Sequence, residues 1–74
     1  MSSVKLDNRI YLLQHTKGLT PHLRQQLYLA DIAFLEDHDS DAEAIVSGIE
    51  HECERQKIKI FSLHNHPFYG RLVA

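Results

Sequence analysis

The residues with the most chemistry to offer are the histidines, of which the 74-residue sequence holds six, together with its single cysteine. His64 and His66 stand two apart in a stretch that reads as strand or turn, a spacing that lets both rings point the same way and chelate one metal. His51 and Cys53 lie just upstream, but on a helix residues two apart diverge by about 200°, so they do not converge on that site. No Cys-x-x-Cys or His-x-x-x-His spacing supports a zinc site, so a zinc-stabilised small domain stays an alternative. Cys53 falls on an apolar stripe, where a thiol serves as packing. The three glycines are isolated and form no phosphate loop,. No complete nucleophile, base and orienting acid can be assembled, so the chain is expected to be no enzyme and to need no cofactor.

Two short stretches resemble known families. His64-Asn65-His66-Pro67 resembles the metal-binding His-x-His-Pro of the JAMM family over four residues. That family places a serine and a metal-binding aspartate downstream, and neither follows His66 here, so the resemblance implies only half a site. Asp39-Ser40 resembles the Asp-Ser that carries phosphopantetheine in acyl carrier proteins, also at the start of an acidic helix. The loop before Ser40 is shorter than in that family, and too little chain follows Lys57 for the family's last helix. Helix capping accounts for Ser40 instead.

Charge gives a different lead. Between Glu36 and Glu54 lie eight carboxylates and no Lys or Arg: Glu36, Asp37, Asp39, Asp41, Glu43, Glu50, Glu52 and Glu54. The basic residues flank this block, with Lys5, Arg9, Lys17 and Arg24 before it and Arg55, Lys57, Lys59 and Arg71 after it. Such a field repels phosphate and attracts a basic protein surface. A winged helix that binds nucleic acid is the competing reading, but its recognition helix would carry Asp41, Glu43, Glu50, Glu52 and Glu54 where phosphate contact needs Lys and Arg.

The elements that must hold these residues follow from spacing. Thr20-Pro21 reads as an N-cap and a first-turn proline. Leu23, Leu27, Ala30 and Phe34 then recur at helical intervals, with Tyr28, Ile32 and Leu35 widening the apolar face and an end near Glu36,. Ser40 and Glu43 have capping-box spacing and open a second helix, with Ala42, Ile45, Ile49 and Cys53 as its stripe and Val46 beside it,. Gly48 inside it suggests close approach of two helices. Within residues 4–17, either 7–17 form a helix capped at Asp7 or Asn8 and ended by Gly18, with Ile10, Leu13 and Lys17 on one stripe, or Val4–Leu6 turns at Asp7-Asn8 into Arg9–Leu13 as a hairpin,. Lys57-Ile58-Lys59-Ile60 alternates as a strand does, the residues from His64 to Gly70 supply turn chemistry, and Arg71-Leu72-Val73 would return,.

The expected architecture is therefore α+β: two to three helices packed with a short C-terminal β-hairpin or strand, in a single domain over 1–74. With 43% apolar and 24% charged residues the composition is that of a folded chain,. One cysteine and the want of a long apolar run point to the cytoplasm and away from a membrane. So small a core favours self-association, most simply as a homodimer. The functional expectation is a small regulatory or inhibitory module that binds another protein bearing a basic surface. The candidate contact residues are Asp37, Asp39, Asp41, Glu50, Glu52 and Glu54, with the aromatics Phe68 and Tyr69,.

Overall fold

The computed structural model of the protein describes residues 4–62. It contains three helices, α1 (Val4–Gln14), α2 (Pro21–Leu35) and α3 (Asp39–Gln56), and among the described residues no strand. The α+β expectation is thus corrected to an all-helical three-helix bundle. The reason lies at Lys57-Ile58-Lys59-Ile60. Its alternation is real, since Lys57 and Lys59 are exposed while Ile58 and Ile60 are half-buried. Yet the isoleucines pack onto the helical core, and among the described residues no strand lies beside them to pair the backbone. Alternating burial needs only a surface to lie on. The return strand expected at 71–73 and the turn at 64–70 lie outside the described residues.

At the N-terminus the choice between helix and hairpin resolves as helix, beginning at Val4 and so before Asp7. Leu6, Ile10 and Leu13 are its buried residues, a 4-then-3 spacing that only a helix gathers on one face. Lys17 leaves this stripe and stands exposed in the following turn. Gly18 there has φ +88°, which glycine adopts without steric cost.

The start of α2 forms as its residues dictate. Thr20 is the N-cap, and its Oγ1 accepts a hydrogen bond from the Leu23 N–H at 3.2 Å, with Pro21 first in the helix. Leu23, Leu27, Ala30 and Phe34 are buried. Tyr28 and Leu35, expected to widen that face, are instead 66% and 73% exposed. The bundle is a thin slab whose Cα atoms span 32 × 31 × 15 Å, and among the described residues none buries these two side chains.

The turn into α3 departs from the capping-box expectation. α3 begins at Asp39, with His38 as N-cap and no side-chain cap bond. Ser40 sits exposed inside the first turn, and Glu43 turns toward α1. What fixes the turn is the end of α2: the His38 N–H donates to the Ala33 carbonyl at 2.8 Å and the Asp37 N–H to that of Phe34 at 3.1 Å, with Asp37 at φ 63°. That is a Schellman closure. α3 ends the same way, with Lys57 at φ 60°, Ile58 N–H to Cys53 carbonyl at 2.8 Å and Lys57 N–H to Glu54 carbonyl at 3.2 Å. Ala42, Val46, Ile49 and Cys53 are the buried residues of α3, and Ile45 packs at their edge. A Cβ on Gly48 would meet nothing within 4 Å, so Gly48 is not there to let helices touch. α2 and α3 share by far the largest contact, and α1 lies across both.

Candidate functional site: an apolar cleft with a lysine rim

Thr16 builds the site. It is 3% exposed, and its hydroxyl donates to the Leu12 carbonyl at 2.8 Å while accepting the Phe61 N–H at 2.9 Å. One buried side chain thus closes the end of α1 and fixes the run after α3 against it. Buried polar groups persist only when paired, and here each group supplies the other's partner. Phe61 then lies beside His15, ring centroids 5.7 Å apart, and His15 stacks obliquely on Tyr11 at 4.3 Å.

Between these rings and the Lys57–Ser62 run opens a cleft of about 810 Å³. Tyr11, His15, Ile58, Ile60 and Phe61 make its walls, and Lys17, Lys57 and Lys59 stand at its margin, all three exposed. That volume falls in the range of about 300–1,000 Å³ usual for ligand sites, and the mixture of apolar wall and few polar groups is the usual one. Sequence reasoning missed the cleft. Tyr11, Thr16 and Phe61 carry no local signal of meeting, since 45 residues separate Thr16 from its partner.

The acidic block is reorganised by the fold. Arg9 of α1 reaches α3 and grips Glu50 with both Nε (3.0 Å) and Nη2 (2.7 Å), Glu43 with Nη1 (2.6 Å) and the Ser47 Oγ with Nη2 (3.1 Å). These bonds, Glu50 first, push the guanidinium pKa further up, and Arg9 holds the Glu43 carboxyl below its ordinary range. Glu52 is paired within α3: Arg55 donates to it twice at 2.7 Å and Gln56 once at 2.6 Å. Arg55 first and then Gln56 lower its pKa to about 2. The block is also not one face, because Asp41 and Glu52 lie roughly 180° around the helix from Glu43 and Glu50.

Of the expected contact residues, Asp37, Asp39, Asp41 and Glu54 make no ion pair among the described residues. Asp39 keeps one buried oxygen, Oδ1, without a hydrogen-bond partner, at a helix start where the dipole favours negative charge. Phe68 and Tyr69 lie outside the described residues. His51 is exposed while Cys53 is wholly buried, its thiol pKa pushed up by that burial and then by Glu50 and Glu52. His64 and His66 are outside the described residues, and among those described no three His, Cys, Asp or Glu side chains gather to hold a metal. No described helix is long and apolar enough to cross a membrane. Compared with known proteins, the chain matches no protein family, no curated protein and no solved structure.

Proposed function

We propose that this chain is a small regulatory module that binds another protein, and that the cleft is where it does so. The observation that carries this reading is the pairing of an open apolar cleft, walled by Tyr11, His15 and Phe61, with three exposed lysines at its margin. Aromatic walls reward the burial of one large apolar side chain. Exposed lysines favour carboxylates beside that anchor and speed encounter with them. The fitting ligand is a short acidic segment of a partner carrying one aromatic or aliphatic anchor.

Selection of displayed peptides against the full chain tests this. The enriched sequences should place Phe, Trp or Leu next to Asp or Glu, and a synthetic representative should shift the amide resonances of Tyr11, His15 and Phe61. The double variant Lys57→Glu, Lys59→Glu should weaken that peptide about tenfold, the effect of losing about 1.4 kcal/mol of rim attraction. Enrichment of basic peptides, or shifts confined to the Asp37–Asp41 turn, would overturn the reading.

A further inference from the structure

The outward face of α2 carries features that the cleft does not use. Tyr28, Ile32 and Leu35 follow one another at intervals of four and three, so they form one stripe. Tyr28 is 66% and Leu35 73% exposed, Leu29 beside them is 44% exposed, and Ile32 is half-buried. A surface helix ordinarily turns such a stripe inward, and this helix already buries another one. The two ends of the stripe differ in charge. Arg24 lies at the N-terminal end, exposed and without an ion pair among the described residues. Glu36 and Asp37 lie at the C-terminal end, equally exposed and likewise without an ion pair among the described residues.

A surface with an apolar middle, a cation at one end and carboxylates at the other is complementary to itself when reversed. We infer that α2 is the interface of a two-fold homodimer, packed antiparallel on the α2 of a second copy and crossing it near Ile32. In that register Tyr28 of one copy lies against Leu35 of the other. Arg24 is eight residues before Ile32, or about 12 Å along the axis at 1.5 Å per residue, and the partner's Glu36 is four residues past it, or about 6 Å. The Arg24 Cα therefore lies a few ångströms beyond the partner's Glu36–Asp37 turn, a gap that a long arginine side chain spans by leaning back. A two-fold axis repeats every such contact, so one apolar pair and one ion pair each count twice. The charge arrangement favours a second copy over a foreign helix, because each unpaired group finds its complement on the same face of this chain.

Sedimentation equilibrium of the full chain, from about 10 µM to about 1 mM, tests the inference. Twice the monomer mass is expected at the upper end. Tyr28→Glu with Leu35→Glu should leave helical circular dichroism and Tm in place, since both side chains are exposed, and yield monomer throughout. Arg24→Glu should raise the dimer dissociation constant at least tenfold, and adding Glu36→Lys with Asp37→Lys should restore it. A monomeric wild type at the highest concentration would overturn the inference. So would a dimer unmoved by the Tyr28 and Leu35 changes, or a charge-reversed combination that fails to recover.

Discussion

The two parts of this bundle are held by different means. The α2–α3 hairpin is closed by a tight turn and zipped by Leu23, Leu27, Ala30 and Phe34 against Ala42, Val46, Ile49 and Cys53. Its contacts are apolar and broad. α1 adds Leu6, Ile10 and Leu13 to the same core, and Ile58 and Ile60 of the Lys57–Ser62 run pack against it, but these two segments are also fastened by two polar side chains. Arg9 ties α1 to Glu43 and Glu50 of α3, and Thr16 ties α1 to Phe61. A broad apolar seam tolerates the loss of one contact and fixes geometry loosely. Two polar ties fix geometry sharply and fail singly. The cleft belongs to the second part, so the surface proposed to bind is positioned by the contacts easiest to break.

The largest effect should follow from Thr16→Val. The substitution keeps shape but removes the hydroxyl that bonds both the half-buried Phe61 N–H and the Leu12 carbonyl, and losing such a partner costs about 1–3 kcal/mol. For a domain of this size 1 kcal/mol lowers Tm by about 4–8 °C. Hydrogen exchange should show the Phe61 amide losing protection while amides of α2 and α3 keep theirs. Equal loss across all three helices would mean that the molecule unfolds as one unit and that the division drawn here is wrong.

Arg9→Met should have the next effect, about 1 kcal/mol, because the network is partly exposed and such pairs contribute modestly. Its pH dependence is diagnostic. Arg9 holds the Glu43 pKa below the ordinary 4.5, so the stabilisation is complete above about pH 4.5 and is lost as pH falls through the lowered value. The gap in stability between wild type and Arg9→Met should therefore narrow in acid and stay constant from pH 5 to 8, measured by urea unfolding. A gap that stays the same in acid would show that Arg9 acts through packing of its stem. Glu50→Lys removes the bidentate partner of Arg9 and belongs with these destabilising variants.

What could be read from residues alone was what local spacing encodes. Thr20 and Pro21 announced the start of α2, and the buried stripes of α2 and α3 followed from apolar recurrence. Three features escaped for physical reasons. Ser40 and Glu43 have capping-box spacing, but the Schellman turn at Asp37 brings the N-cap in two residues earlier, at His38, and Arg9 captures Glu43. Lys57 to Ile60 alternates, but periodicity records which side is buried and is silent on whether the cover is a strand or a helix. The acidic block looked uncompensated along the chain because its main cation, Arg9, lies 34 residues from Glu43 in sequence and 2.6 Å from it in space. The cleft was illegible for the same reason, since its two sides come from segments distant in sequence.

The smallest effect is expected at Gly48, in the tolerant half. Glycine within a helix loses more backbone freedom on folding than alanine, a cost of about 0.5–1 kcal/mol. A packing reason would offset that cost, but a methyl group here meets nothing within 4 Å. The position borders a shallow groove of about 270 Å³ between α2 and α3, with His22 and Gln26 on one side and Ala44 and Glu52 on the other. Gly48→Ala should therefore stabilise the chain by about 0.5–1 kcal/mol, raising Tm by a few degrees with the urea m-value unchanged. Because α2 and α3 are joined by a broad seam, the gain should appear as greater protection of the α2 and α3 amides, with little change at Phe61. A loss of stability on adding one methyl would show that the helices close more tightly over this groove than their described separation allows, and that the α2–α3 half is the sharply fitted part of the molecule after all.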